Sequence, residues 1–226
     1  MLPLALWSVT AVAWSLVANL IVGDLGYAPR NLLLTTGLLL IAYLLGWNRA
    51  DIGLDGTAAR RGLRWGALAV GVIGTVVFAA FLLAAEVPAL SGLLSDDRAA
   101  LSSGSLLAAV AWKIPVGTVL FEEVLFRGVL LKAAMRRHRT TVAVALTSVV
   151  FGLWHVAPTI VGLQANGVDP GSLAGIGAIV GTVAVTSVAG VAFAWLRLRT
   201  DSLLAPMLAH WATNAFGLLA AAAMTA

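Results

Sequence analysis

Three short stretches of this 226-residue chain place ionisable or strongly polar side chains at helical spacing inside apolar sequence. The first, Phe121-Glu122-Glu123-Val124-Leu125-Phe126-Arg127, holds two carboxylates and a guanidinium. The second and third, Phe151 to His155 and His210 to Asn214, each set their end residues four apart, on one helix face. Glu123 and Arg127 are also i,i+4 with the acid first, the favourable order for an ion pair. These residue types suit three kinds of chemistry. A carboxylate beside an imidazole can activate water. A chain of carboxylates and imidazoles can relay protons. Glu122, His155 and His210 could also supply three N/O ligands to a divalent metal such as zinc, with Glu123 left as base.

The elements that carry these groups are membrane spans. The chain is 61% hydrophobic and 11% charged, against about 25% charged in a soluble domain. Its mean hydropathy is +0.99. Apolar runs mark about seven spans, within Met1–Gly23, Asn31–Asn48, Trp65–Ala85, Ser103–Lys132, Thr140–His155, Ser172–Leu196 and Ser202–Ala223, of which the fourth carries Lys113 and the Glu pair. Each is long enough, or nearly so, to cross about 30 Å of hydrocarbon. The expected fold is an all-α polytopic bundle. An eighth span, re-entrant segment or interfacial helix fits Leu90–Ile114, and Pro158–Gly171 reads as an outer loop. Residues 1–100 are expected to supply N-terminal spans and residues 101–226 the helical core that holds the polar sets. Met1–Gly23 has no charged residue and so no basic n-region, which makes it a retained span rather than a signal peptide.

Charge orients the bundle. Arg49, Arg60, Arg61, Arg64, Lys132, Arg136, Arg137, Arg139, Arg197 and Arg199 lie in loops on one side, and only Arg30 and Arg98 on the other. The positive-inside rule then puts the N-terminus in the cytoplasm and makes the protein a multi-pass component of the cell membrane. The same rule accounts for a pI near 10.3 without nucleic acid as a partner. The absence of cysteine excludes disulfides, thiolate metal sites and cysteine nucleophiles.

Depth brings the polar sets together. Counting 1.5 Å per residue from the cytoplasmic ends puts Glu122 about 18 Å up, His155 about 21 Å, His210 about 12 Å and Asn214 about 18 Å. An intramembrane charge costs about 2.5–3.5 kcal/mol at a helix centre on insertion scales, so such residues mark a functional site with partners nearby. The bland readings are that Glu123–Arg127 only ties helices together, and that each histidine and Asn214 only bonds a neighbouring span. A shared slab reached from three spans argues against them. Trp7, Trp47, Trp65 and Trp195 fall near span ends, as in an aromatic belt. Trp154 and Trp211 adjoin the histidines and read as pocket lining or packing. Glu86, Asp96 and Asp97 read as outer-loop charges.

At these residues the chain resembles the CPBP family of intramembrane proteases, which includes the type II CAAX prenyl endopeptidases and bacteriocin-processing or immunity proteins. The family motif EExxxR is met by Glu122 to Arg127, FxxxH by Phe151 to His155, and HxxxN by His210 to Asn214. The resemblance implies an endopeptidase acting on a membrane-associated protein or peptide, in contact with membrane lipids. It implies Glu122 as the base that activates water, with His155 holding that water. His210 and Asn214 would polarise the scissile carbonyl, and Glu123 and Arg127 would orient the others. The family has been described both as metal-dependent and as glutamate proteases; the sequence leaves both open, and the metal-free form is taken as the expectation, with a divalent metal such as zinc as the alternative. A proton-coupled transporter and a non-catalytic scaffold or immunity partner are the competing classes. The first is disfavoured by the lack of an internal repeat.

Overall fold

The computed structural model describes residues 4–23, 26–87 and 99–225, and its regular structure there is entirely helical. α1 (Leu4–Val17) continues into a π-helical turn, Ala18–Val22; α2 spans Tyr27–Leu44 and α3 Ala59–Glu86. α4 runs from Ser103 to Met135 as one rod, in which α-helical turns alternate with two π-helical stretches, Ala109–Val119 and Val124–Leu130. α5 (Thr140–Trp154) and α6 (Val156–Ala165) form a second composite rod, followed by α7 (Leu173–Thr200) and α8 (Leu204–Thr225). Six of these rods are long and apolar enough to cross a membrane. The 18-residue α2 is the seventh. The chain is the polytopic bundle that its hydropathy predicts.

Two expectations need adjustment. The stretch from Pro158 is not loop but helix until Ala165. Proline is tolerated there because Pro158 sits in the first turn of α6, where a missing N–H breaks no intrahelical bond. Of the segment considered for an eighth span, residues 90–98, with Asp96 and Asp97, lie outside the described residues. From Ser103 onward it is the first half of α4.

α4 is the axis of the bundle. Residues 121–131 are all buried, whereas α3 and α7 present most of their length outward. The surrounding helices pack by close approach at small residues. α3 runs parallel to α8: a Cβ on Gly62 would lie 2.5 Å from Ser202 Oγ, one on Gly66 2.5 Å from Leu208, and one on Gly74 3.1 Å from Phe216. α5 meets α7 antiparallel, with Gly152 against Ser187 and Gly190 against Ser148. A Gly66→Leu substitution is therefore expected to destabilise the protein by about 1–3 kcal/mol through overpacking. Gly71→Ala, whose Cβ meets nothing within 4 Å, should be neutral or up to about 1 kcal/mol stabilising. Equal unfolding midpoints for the two variants would refute this packing.

The basic face is closed by the loop after α2. Gly53 turns it with φ +79° and gives its carbonyl to the Leu203 amide at 2.8 Å. Arg197, buried at the end of α7, donates to the carbonyls of Ala50 and Asp51. Lys132 at the end of α4 pairs with Asp51, which holds that carboxyl below its ordinary value. This depressed pKa gives stability that is complete above about pH 4 and lost as pH falls through the folded-state value. Both partners are more than a quarter exposed, so the contribution is at most about 1 kcal/mol. Asp51→Asn should flatten the acid limb of a stability–pH curve by that amount; an unchanged limb would assign the acid sensitivity elsewhere.

Candidate active site

Glu122 and Glu123 share a short α-helical turn between the two π-helical stretches of α4. Their side chains leave the axis in different directions but meet the same imidazole. His210, from α8, presents Nδ1 to Glu123 Oε1 at 2.8 Å. Its Nε2 lies 3.9 Å from Glu122 Oε2. Glu123 Oε1 also accepts from Arg127 at 2.8 Å, so the expected i,i+4 pair forms, and it is almost wholly buried. The guanidinium is stacked 4.0 Å over the Phe151 ring and 5.1 Å over Phe193, a cation–π box that compensates part of its desolvation. Phe193 also stacks on the His210 ring at 5.3 Å.

His155 stands at the break between α5 and α6. Its Nδ1 lies 2.7 Å from the Phe151 carbonyl. A carbonyl only accepts, so Nδ1 carries the proton and Nε2 is the basic nitrogen. The same reasoning applies to His210, whose Nδ1 faces a carboxylate. Phe151 thus does two things in one motif: its carbonyl sets the His155 tautomer and its ring covers Arg127. Asn214 lies one turn beyond His210, half-buried, with no hydrogen bond among the described residues. The structure brings Glu122, Glu123, Arg127 and His210 into direct contact, and sets His155 on the Phe151 ring that also touches His210.

Trp154, which the sequence reads as pocket lining or packing, has a more specific contact. Its indole Nε1 donates to Glu122 Oε1 at 3.0 Å, which leaves Oε2 as the oxygen facing His210. Trp154 is itself fixed from α1, where Ser15 Oγ donates to the Trp154 carbonyl at 2.6 Å, and its ring packs edge-on to Phe126. The clue in the sequence was a polar-tipped aromatic beside a motif histidine. Trp211 has a comparable role on α4. Pro115 has no N–H to give to the Val110 carbonyl five residues back, the acceptor a π-helix would use. The Trp211 indole supplies that bond at 3.0 Å. From α2, Asn31 donates to the Gly117 carbonyl at 2.6 Å. The widened helix is therefore held by side chains from its neighbours.

Three buried polar atoms of the cluster have no hydrogen-bond partner within the protein: Glu122 Oε2, Glu123 Oε2 and Arg127 Nη2. Such atoms are costly unless something polar meets them, and Glu122 Oε2, Glu123 Oε2 and Arg127 Nη2 keep hydrogen-bonding capacity that the protein itself does not use. The cluster does not fit a tetrahedral metal as it stands. Among the described residues no three His, Asp or Glu side chains are placed to hold one metal ion together. Two N/O ligands on a zinc at about 2.0–2.1 Å would lie about 3.4 Å apart, closer than the 3.9 Å between His210 Nε2 and Glu122 Oε2. Both Nδ1 atoms are also already engaged.

A family model described as type II CAAX prenyl endopeptidase Rce1-like matches residues 102–216, from the start of α4 to two residues beyond Asn214. Searches of curated proteins and of solved structures returned no match.

Proposed function

The chain belongs to the Rce1-like family of type II CAAX prenyl endopeptidases, and from that membership we propose that it hydrolyses a peptide bond of a membrane-associated protein or peptide at the α4–α5–α8 cluster, by a water activated on Glu122. The observation that carries this reading is the 3.9 Å separation of Glu122 Oε2 and His210 Nε2. A single water can reach both at about 2.8 Å, donating one hydrogen to each and keeping its lone pairs for attack. The N-terminus is cytoplasmic in this reading, as the basic loops require, and substrate comes from that side or from the lipid.

Each residue then has a task set by its contacts. Trp154 holds Glu122 so that Oε2 faces the water. Glu123 holds the His210 Nδ1 proton, which fixes Nε2 as an acceptor; Arg127 balances the Glu123 charge. This favours a place for His210 beside the water, in contrast to the carbonyl-polarising role that the resemblance implies. Stabilising an oxyanion needs donors, and the Asn214 amide is the uncommitted donor on that face of α8. As the water oxygen bonds to the carbonyl carbon, its proton passes to Glu122. When the C–N bond breaks, that proton goes to the departing amine, with His155 Nε2 as a second acceptor close by.

The test is to profile protein termini by mass spectrometry in host cells whose own gene is deleted and then restored as wild type or Glu122→Ala at equal abundance. New termini present only with wild type would support proteolysis and give the substrate. Identical profiles from folded protein would overturn the reading and leave a scaffold or transporter.

A further inference from the structure

The start of α3 carries a second constellation that peptide hydrolysis does not use. Thr57, Ala58, Arg60, Arg61, Arg64 and Trp65 line a pocket of about 540 Å³ on the basic face of the bundle. Two carboxylates stand close by, and both are engaged. Asp55 accepts from the Thr57 amide and hydroxyl, and Asp201 pairs with Arg61 at 2.7 Å. Arg60 and Arg64 have no acidic partner among the described residues. A fourth cation, Arg199, sits 5.4 Å over the Trp65 ring, and Trp65 meets Trp195 of α7 edge-on at 5.4 Å. The concavity therefore has an excess of positive charge and an aromatic wall.

What lies beyond the pocket narrows the ligand. From Arg64 the same face of α3 continues through Leu68, Val72 and Val76, at successive i+4 positions, each more than half exposed. Beside it α7 exposes Trp195, Val191 and Val188. A cationic pocket at the interface, continued by an exposed apolar face along the span, matches a molecule with an anionic head and hydrocarbon chains. Topology alone requires basic residues on this face but not their convergence on a cavity. Arg136, Arg137 and Arg139 satisfy the same rule as an exposed loop.

We propose that the pocket at the start of α3 binds an anionic phospholipid, with its phosphate between Arg60, Arg61 and Arg64, its glycerol region against Trp65, and its acyl chains along Leu68, Val72 and Val76. The site is separate from the Glu122 cluster and does not depend on proteolysis.

The full-length protein is reconstituted in nanodiscs of phosphatidylcholine with phosphatidylglycerol as a minor component, since basic residues near an anionic membrane surface attract such lipid. Lipid retained after detergent extraction is read by native mass spectrometry. Wild type is expected to keep phosphatidylglycerol over phosphatidylcholine by at least about 10-fold relative to the nanodisc mixture. Arg60→Gln/Arg64→Gln should reduce that preference at least about five-fold. Arg136→Gln/Arg137→Gln, which removes the same charge from the same face, should keep it. All three proteins are compared at equal monodispersity and melting temperature, and the exposed positions make folding defects easy to recognise. No preference in wild type, or equal loss in both double variants, would overturn the proposal. Displacement of the lipid by excess inorganic phosphate would also overturn it, because a site for the free anion does not require the apolar face beyond the pocket.

Discussion

Glu122→Gln is expected to lower the rate of peptide cleavage by about 10²- to 10⁴-fold, the range that a general base contributes, while the protein keeps its melting temperature. The substitution retains the side-chain shape and an oxygen for the Trp154 indole, but it removes the group that accepts the water proton. Trp154→Phe makes the graded comparison. It keeps the ring against Phe126 and deletes only the hydrogen bond to Glu122. A hydrogen bond to a charged group is worth about 1.5–3 kcal/mol, so cleavage should fall by about 10- to 100-fold through loss of positioning. Both rates are measured on purified protein with the peptide that the profiling of termini identifies. A Glu122→Gln protein with more than a tenth of wild-type activity would remove Glu122 from the role of base.

The largest effect on stability is expected at Arg127. Arg127→Met should cost about 3–5 kcal/mol, because it leaves the Glu123 carboxylate buried beside His210 without its cation. Glu123→Gln/Arg127→Met should recover much of that loss, since the pair is removed together. The difference between the double variant and the sum of the single ones measures the coupling. Unfolding in mixed micelles provides the readout. Additive losses would mean that the guanidinium contributes through its stacking on Phe151 and Phe193 and not through the carboxylate.

The bundle was legible because intramembrane charges are so few. In a chain with 11% charged residues, Glu122, Glu123 and Arg127 stand out, and i,i+4 spacing by itself ties Glu123 to Arg127. Span lengths followed from the same contrast. Other features depended on tertiary contacts that leave no periodic trace. The π-helical widening of α4 changes each hydrogen bond by one residue and no residue type. Its one local sign is Pro115, whose meaning appears only when Trp211 is seen bonding the Val110 carbonyl. Trp154 reads as pocket lining or packing until its indole is found on Glu122. α6 was hidden because Pro158 reads as a breaker unless the helix start is known. Arg197 looked like a topology marker, yet it reaches back to the carbonyls of Ala50 and Asp51.

The partners of the two glutamates also set an order for biogenesis. Arg127 is made moments after Glu123 and within the same helix, so a nascent α4 can neutralise one carboxylate by itself. Glu122 must wait for Trp154, 32 residues later, and Glu123 meets His210 only after 87. At about 5–20 residues per second of synthesis, helix four spends seconds with an unmatched acid. The translocon must shelter it until α5 arrives. A chain arrested when its emerged portion ends between residues 135 and 154 would therefore be an insertion intermediate whose helix four slips from the bilayer more readily than that of a Glu122→Gln chain.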